Sequence, residues 1–103
     1  LTEVNKKLRN QQDLSLRLKA LRSLGVALQV VGDLQQSENA LKESLTISQK
    51  LGSIADTSEI LFSLGNTKRS LPQNEQALSY YKQAFSIATN PRVQVEALLN
   101  QLS

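Results

Sequence analysis

Leu21-Arg22-Ser23-Leu24-Gly25 is answered forty residues later by Leu61-Phe62-Ser63-Leu64-Gly65. The echo extends outward at the same shift. Gln36 meets Gln76, Leu41 meets Tyr81, Lys42 meets Lys82, Leu45 meets Phe85 and Ile47 meets Ile87. A fixed period of this size marks supersecondary units that cannot bury their apolar faces alone and so stack on their neighbours. Stacked units present a long surface to another molecule, which points to binding rather than chemistry.

The apolar spacing around the echo is helical throughout. Leu1, Val4 and Leu8 are spaced as the end of a helix within residues 1–10, and a second helix is expected over residues 13–31. Its stripe is Leu14, Leu18, Leu21, Leu24, Ala27, Leu28 and Val31. Gly32 ends it, and Asp33 with Gln36 has the spacing of a capping box for the next helix. That helix reaches Leu51, with the small residues Ser37 and Ser44 on its inner face. Gly52 closes it, and Ser53 with Asp56 suggests another cap. A further helix runs from Ile54 to Ser70, and Pro72 takes the place of Gly32 before a helix over residues 74–89. Asn90-Pro91 then reads as a cap and first turn, opening a helix to Ser103 that carries Val95, Leu98, Leu99 and Leu102. No alternating strand pattern interrupts this series. Very short turns force consecutive helices to lie antiparallel, so the class is all-α, built of helix pairs. The expected division is residues 1–10 as the end of a preceding helix, 13–51 as repeat one, 53–89 as repeat two and 91–103 as the first helix of a further repeat.

Composition narrows the function classes. A chain of 103 residues holds one domain, and its core must come from Leu, Val, Ile and Ala, because aromatics are only 4%. Without cysteine there is no disulfide or thiol chemistry, and without histidine the commonest metal ligand and general base is missing. No apolar run is long enough to cross a bilayer, and no signal segment opens the chain, so a cytoplasmic setting is expected. The chain has no initiator Met and opens in mid-helix, which suggests a piece of a longer protein whose targeting signals lie elsewhere. The net charge of +3 is uneven: residues 1–22 carry +4, residues 23–59 carry −3 and the remainder +2. An acidic partner would suit the basic parts, although solvated helix faces explain the same charges.

These places form a known pattern. A large apolar residue, Leu-Gly three on, a large residue after Gly and small residues on the second helix occur as Leu21, Leu24, Gly25, Leu28, Ser37, Leu41 and Ser44. They recur as Leu61, Leu64, Gly65, Lys68, Ala77, Tyr81 and Ala84. The chain resembles the tetratricopeptide repeat, a right-handed solenoid of antiparallel helix pairs. Its forty-residue period is longer than the usual ~34. In this it looks like bacterial arrays found beside CHAT-type protease or signalling domains, and like some eukaryotic scaffold repeats. Ser37, Ser44 and Lys68 depart from the commonest residues, and Lys68 is expected to loosen its contact. Gly25 and Gly65 are expected to allow close helix crossing, with Ser44 and Ala84 as the facing small residues. Tyr81 and Phe85 are expected in the core, and Tyr80 is expected to point elsewhere.

The resemblance implies that first helices line a concave groove where partners lie. By position this gives Lys19, Arg22, Val26, Gln29 and Val30 from the first unit. The second gives Glu59, Phe62, Ser63, Asn66, Arg69 and Ser70, and the third Ala97, Asn100 and Gln101. Phe62, off its helix's buried stripe, is placed either to anchor a partner's apolar side chain or to pack between repeats. Asn66 suits a partner's backbone, and Arg22 and Arg69 suit carboxylates. The places that grip chaperone-tail carboxylates in one family subset hold Arg22, Val26, Ser63, Ala97 and Gln101, so that ligand is not expected.

The chemistry-bearing residues do not assemble. Asp56 with Glu59 and Glu38 with Glu43 are carboxylate neighbours, better explained by a cap and exposed helix surface than by acid–base work. No Gly-rich phosphate loop or metal-ligand spacing occurs. Nucleic-acid binding would need a stronger basic patch and more stacking aromatics. The expectation is a non-enzymatic module with no cofactor, no nucleic acid and no membrane partner, binding a peptide or protein segment in its groove. The alternative is a structural spacer or self-association module, forming a homo-oligomer through its exposed terminal helices.

Overall fold

Four helices follow one another in the computed structural model, which describes residues 2–89: α1 (Thr2–Val31), α2 (Leu34–Leu51), α3 (Ile54–Ser70) and α4 (Asn74–Thr89). The described residues contain no strand. α1 pairs with α2 and α3 with α4, and α2 packs against α3 to join the two pairs. This is a stack of antiparallel helix pairs, as the period requires. The helix expected over residues 91–103 lies outside the described residues.

The expected break near residues 10–13 is absent, because α1 is a single helix of 30 residues. Asn10-Gln11-Gln12 contains neither proline nor glycine, so nothing there forbids the backbone from continuing. A helix of that length spans about 45 Å against about 27 Å for the 18 residues of α2. The first dozen residues of α1 therefore run past the end of α2, and Val4 and Leu8 stay 60% and 52% exposed.

The turns are built alike. At Gly32 (φ 88°) the Asp33 N–H donates to the Leu28 carbonyl at 2.9 Å, and at Gly52 (φ 69°) the Ser53 N–H donates to the Ser48 carbonyl at 3.0 Å. This six-to-one bond requires a left-handed residue between its ends, which glycine supplies. The third turn closes with the same bond, Gln73 N–H to the Lys68 carbonyl at 2.9 Å, with Pro72 in the glycine's place. Ser53 caps α3 as expected: its hydroxyl accepts from the Asp56 N–H at 3.4 Å and donates to the Asp56 carboxylate at 2.7 Å. Asp33 stands at the start of α2 but makes no side-chain cap bond.

The core is one cluster of Leu18, Leu41, Ile47, Ile60 and Leu64, so it crosses from the first pair into the second. Tyr80, expected to point elsewhere, packs against this cluster. Leu24, expected in the motif's core, is 50% exposed. The glycines do permit close crossing, but the facing residues are the large ones rather than Ser44 and Ala84. A Cβ on Gly25 would meet the Leu41 side chain at 2.6 Å, and one on Gly65 would meet the Tyr81 ring at 2.5 Å. Each pair thus inserts a large side chain of its second helix against the bare backbone of its first.

Between the pairs the seam also carries buried polar bonds. The Ser37 and Thr67 hydroxyls lie 3.2 Å apart, and Thr57 donates to Ser48 at 2.8 Å. Lys68, expected to loosen its contact, instead places its ammonium 2.7 Å from the Glu38 carboxylate and 2.8 Å from the Gln73 amide oxygen, with Glu38 and Lys68 both buried. The lysine stem fills the space of an apolar residue while its head neutralises a buried acid. Glu38 was expected on the surface; what holds it inside is this partner together with Lys42 at 3.0 Å.

Candidate functional site

α1 and α3 present one face each to a shared trough, and α4 forms its far wall. The trough encloses about 1230 Å³ and is open to solvent. Arg22 and Val26 reach it from α1, and Glu59, Phe62, Asn66 and Arg69 from α3. These are six of the eleven groove residues expected from position that fall within the described residues. Ser63 also lines it. Lys19 and Gln29 do not, and neither do Val30 and Ser70. Along the helices they lie beyond the lining residues: Lys19 before Arg22, Gln29 and Val30 after Ala27, and Ser70 after Arg69. Ala97, Asn100 and Gln101 lie outside the described residues.

The far wall was not anticipated. Tyr81, Ala84, Phe85 and Ala88 of α4 line it, although positional reasoning gave the groove to first helices alone. Phe85, expected in the core, is 71% exposed there. The available signal was the spacing of Tyr81, Ala84, Phe85 and Ala88, which share one helix face distinct from that of Tyr80.

The trough floor is organised by aromatic packing. Gly65 allows the Tyr81 ring to lie against α3, and Phe62 sits 5.4 Å from that ring at an interplanar angle of 51°. This is the tilted arrangement that aromatic quadrupoles favour. Phe62 remains 55% exposed, so it is braced from behind and open in front. The Tyr81 hydroxyl donates to the Asn66 side-chain oxygen at 2.6 Å, which fixes the asparagine and leaves its amide NH₂ for another acceptor.

Charges sit at the trough's ends. Arg22 is engaged by the protein's own carboxylates, Asp56 at 2.7 Å and Glu59 at 3.0 Å. The Ser53 cap holds Asp56 in that position from its other oxygen. Among the described residues Arg69 is exposed and has no ion-pair partner. The two arginines, both expected to suit carboxylates, are therefore not equivalent in availability.

Among the described residues no cluster of three acidic, histidine or cysteine side chains is placed to hold a metal. No described helix is long and apolar enough to cross a membrane. Comparison with known proteins returns a match to the family model of the tetratricopeptide repeat over residues 16–90. No curated protein and no solved structure matches the chain. That match spans α1 from Leu16 through the end of α4, the region in which both helix pairs and the glycine crossings lie, and the chain belongs to the tetratricopeptide repeat family.

Proposed function

We propose that the trough between α1, α3 and α4 receives a segment of a protein partner. Repeats of this family generally mediate protein–protein interactions and typically act as scaffolds rather than enzymes. The observation that carries the reading here is Phe62: an aromatic ring held rigid by Tyr81 and half open on the floor of a trough. Rigid aromatic groups with an exposed face are the usual energetic centres of interfaces.

The test is selection from a displayed random peptide library, with Phe62→Ser compared with Leu78→Ser. Leu78 is 53% exposed on α4 but outside the trough. We expect Phe62→Ser to weaken the selected peptides by at least about tenfold and Leu78→Ser to leave them unchanged, with both variants retaining helical circular dichroism. Equal binding by the two variants overturns the reading. If nothing is selected and the chain sediments as a dimer, the self-association reading takes its place, resting on the exposed Val4 and Leu8 of α1.

A further inference from the structure

The trough is electrically polarised along α3. At one end Asp56 and Glu59 face Arg22, which leaves one negative charge in excess, and Glu59 keeps 69% of its side chain exposed. At the other end Arg69 stands exposed, without an ion-pair partner among the described residues. Between them lie Phe62, Val26 and Phe85, an apolar middle. The Ser63 hydroxyl and the Asn66 amide NH₂ also face this stretch, and neither donates a hydrogen bond among the described residues. Two donors one helical turn apart suit the carbonyls of an extended chain, because a helix would have consumed its own.

From these placements we infer that the occupant is an extended, dipolar protein segment: a basic residue over Glu59 and Asp56, apolar residues over Phe62, and an acidic residue at Arg69. The inference rests on the trough being the binding site. It differs from a general preference for acidic partners, because Arg22 is already satisfied and the opposite end calls for a cation. The spacing follows from the helix. Glu59 and Arg69 are ten residues apart on α3, about 15 Å along its axis. An extended chain covers that in about four to five residues.

The same displayed library provides the test, read out by position. We expect selected sequences to carry Lys or Arg and Asp or Glu four to six positions apart with apolar residues between. Arg69→Glu should exchange the acidic preference for a basic one, and Arg69→Gln should weaken acidic peptides roughly fivefold, the upper range for an exposed ion pair. Glu59→Gln should remove the basic preference alone. Both positions tested are exposed helix surface, and circular dichroism verifies that each variant is folded. Selection that depends on Phe62 but shows no charge pattern, or one that follows Arg22 and ignores Arg69, overturns the inference and leaves the trough reading intact. Absence of any selection above the Phe62→Ser background overturns both.

Discussion

Two glycines at equivalent places of the repeat are not equally replaceable, because what faces them differs in stiffness. A Cβ on Gly25 meets Leu41 at Cγ and Cδ2, on an aliphatic side chain that has rotamers to retreat into. A Cβ on Gly65 meets the Tyr81 ring at 2.5 Å, and that ring is pinned by Asn66 and by Phe62. Alanine would gain up to about 1 kcal/mol of helix propensity at either site. We expect Gly65→Ala to lose about 2 kcal/mol net and Gly25→Ala to lose distinctly less, read from urea unfolding. An equal loss at both sites would show that the tyrosine yields as easily as the leucine. The Glu38–Lys68 pair is the other residue-scale departure from expectation. Burial alone would raise the Glu38 pKa, but the hydrogen bonds and charges of Lys68 and Lys42 outweigh it and hold the group below its ordinary value. Lys42 is raised by the hydrogen bond and charge of Glu38, against a smaller opposing cost of burial. A lowered carboxylate contributes stability above its unfolded pKa and loses it as pH falls through the folded one. Lys42 gives the opposite sign, losing its contribution only as pH rises beyond the lysine range. The cluster is thus complete across neutral pH and fails first on the acid side, below about pH 4.5. Lys68→Met should cost about 2 kcal/mol at pH 7, with the difference from the parent chain shrinking toward pH 3, and Lys68→Met/Glu38→Leu should recover most of it. A loss unchanged from pH 7 to pH 3 would assign the effect to packing instead.

At the scale of elements, the helices and turns were legible because local rules govern them. Gly32, Gly52 and Ser53 each do what their residue type dictates at a helix end. The turn at Gly32 isolates one physical cost. Nothing lies within 4 Å of an added Cβ there, and φ is +88°. Gly32→Ala should therefore cost about 1 kcal/mol from the backbone alone, and Gly32→Asn less, since asparagine tolerates the left-handed region. Thermal unfolding of the two variants checks this, and an alanine variant as stable as the parent would mean that the turn relaxes. The course of α1 was less legible. Its apolar residues fall all round the helix, so the stripe at Leu1, Val4 and Leu8 looked separate from that at Leu14 and Leu18, while the polar residues between them carry no signal that stops a helix. Side-chain partnership was the least legible level. Lys68 reads as a charge that loosens a motif contact until Glu38, thirty residues away, is brought against it. Arg22 and Arg69 read as equals until α3 places Asp56 and Glu59 beside the first. The wall of the trough supplied by α4 was missed because Phe85 looked apolar enough for the core, and only the stacking angle decides which face of a second helix is covered.

The described residues form two helix pairs, and their cooperativity depends on what joins them. In linear repeat stacks, stability is approximately a sum of unit terms and neighbour terms, so a weak seam lets one unit open alone. Here the wholly buried Leu41 of the first pair and Ile60 and Leu64 of the second belong to one cluster, flanked by the Ser37–Thr67 and Thr57–Ser48 bonds. Among the described residues no buried side-chain nitrogen or oxygen lacks a partner, so the seam carries no polar penalty that would favour its opening. The neighbour term is therefore large and the pairs should unfold together. Tyrosine offers a local probe, since both tyrosines, Tyr80 and Tyr81, lie on α4, whereas far-UV circular dichroism averages all the helices. We expect the two signals to share one urea midpoint. Leu64→Ala, emptying a fully buried site in the shared cluster, should cost about 2–5 kcal/mol and move both midpoints equally. If the tyrosine midpoint alone moved and part of the dichroism held its original value, the first pair would be standing without the second. The cluster across α2 and α3 would then be a contact between independent units, and the trough that needs α1 and α3 together would lose its rigid frame.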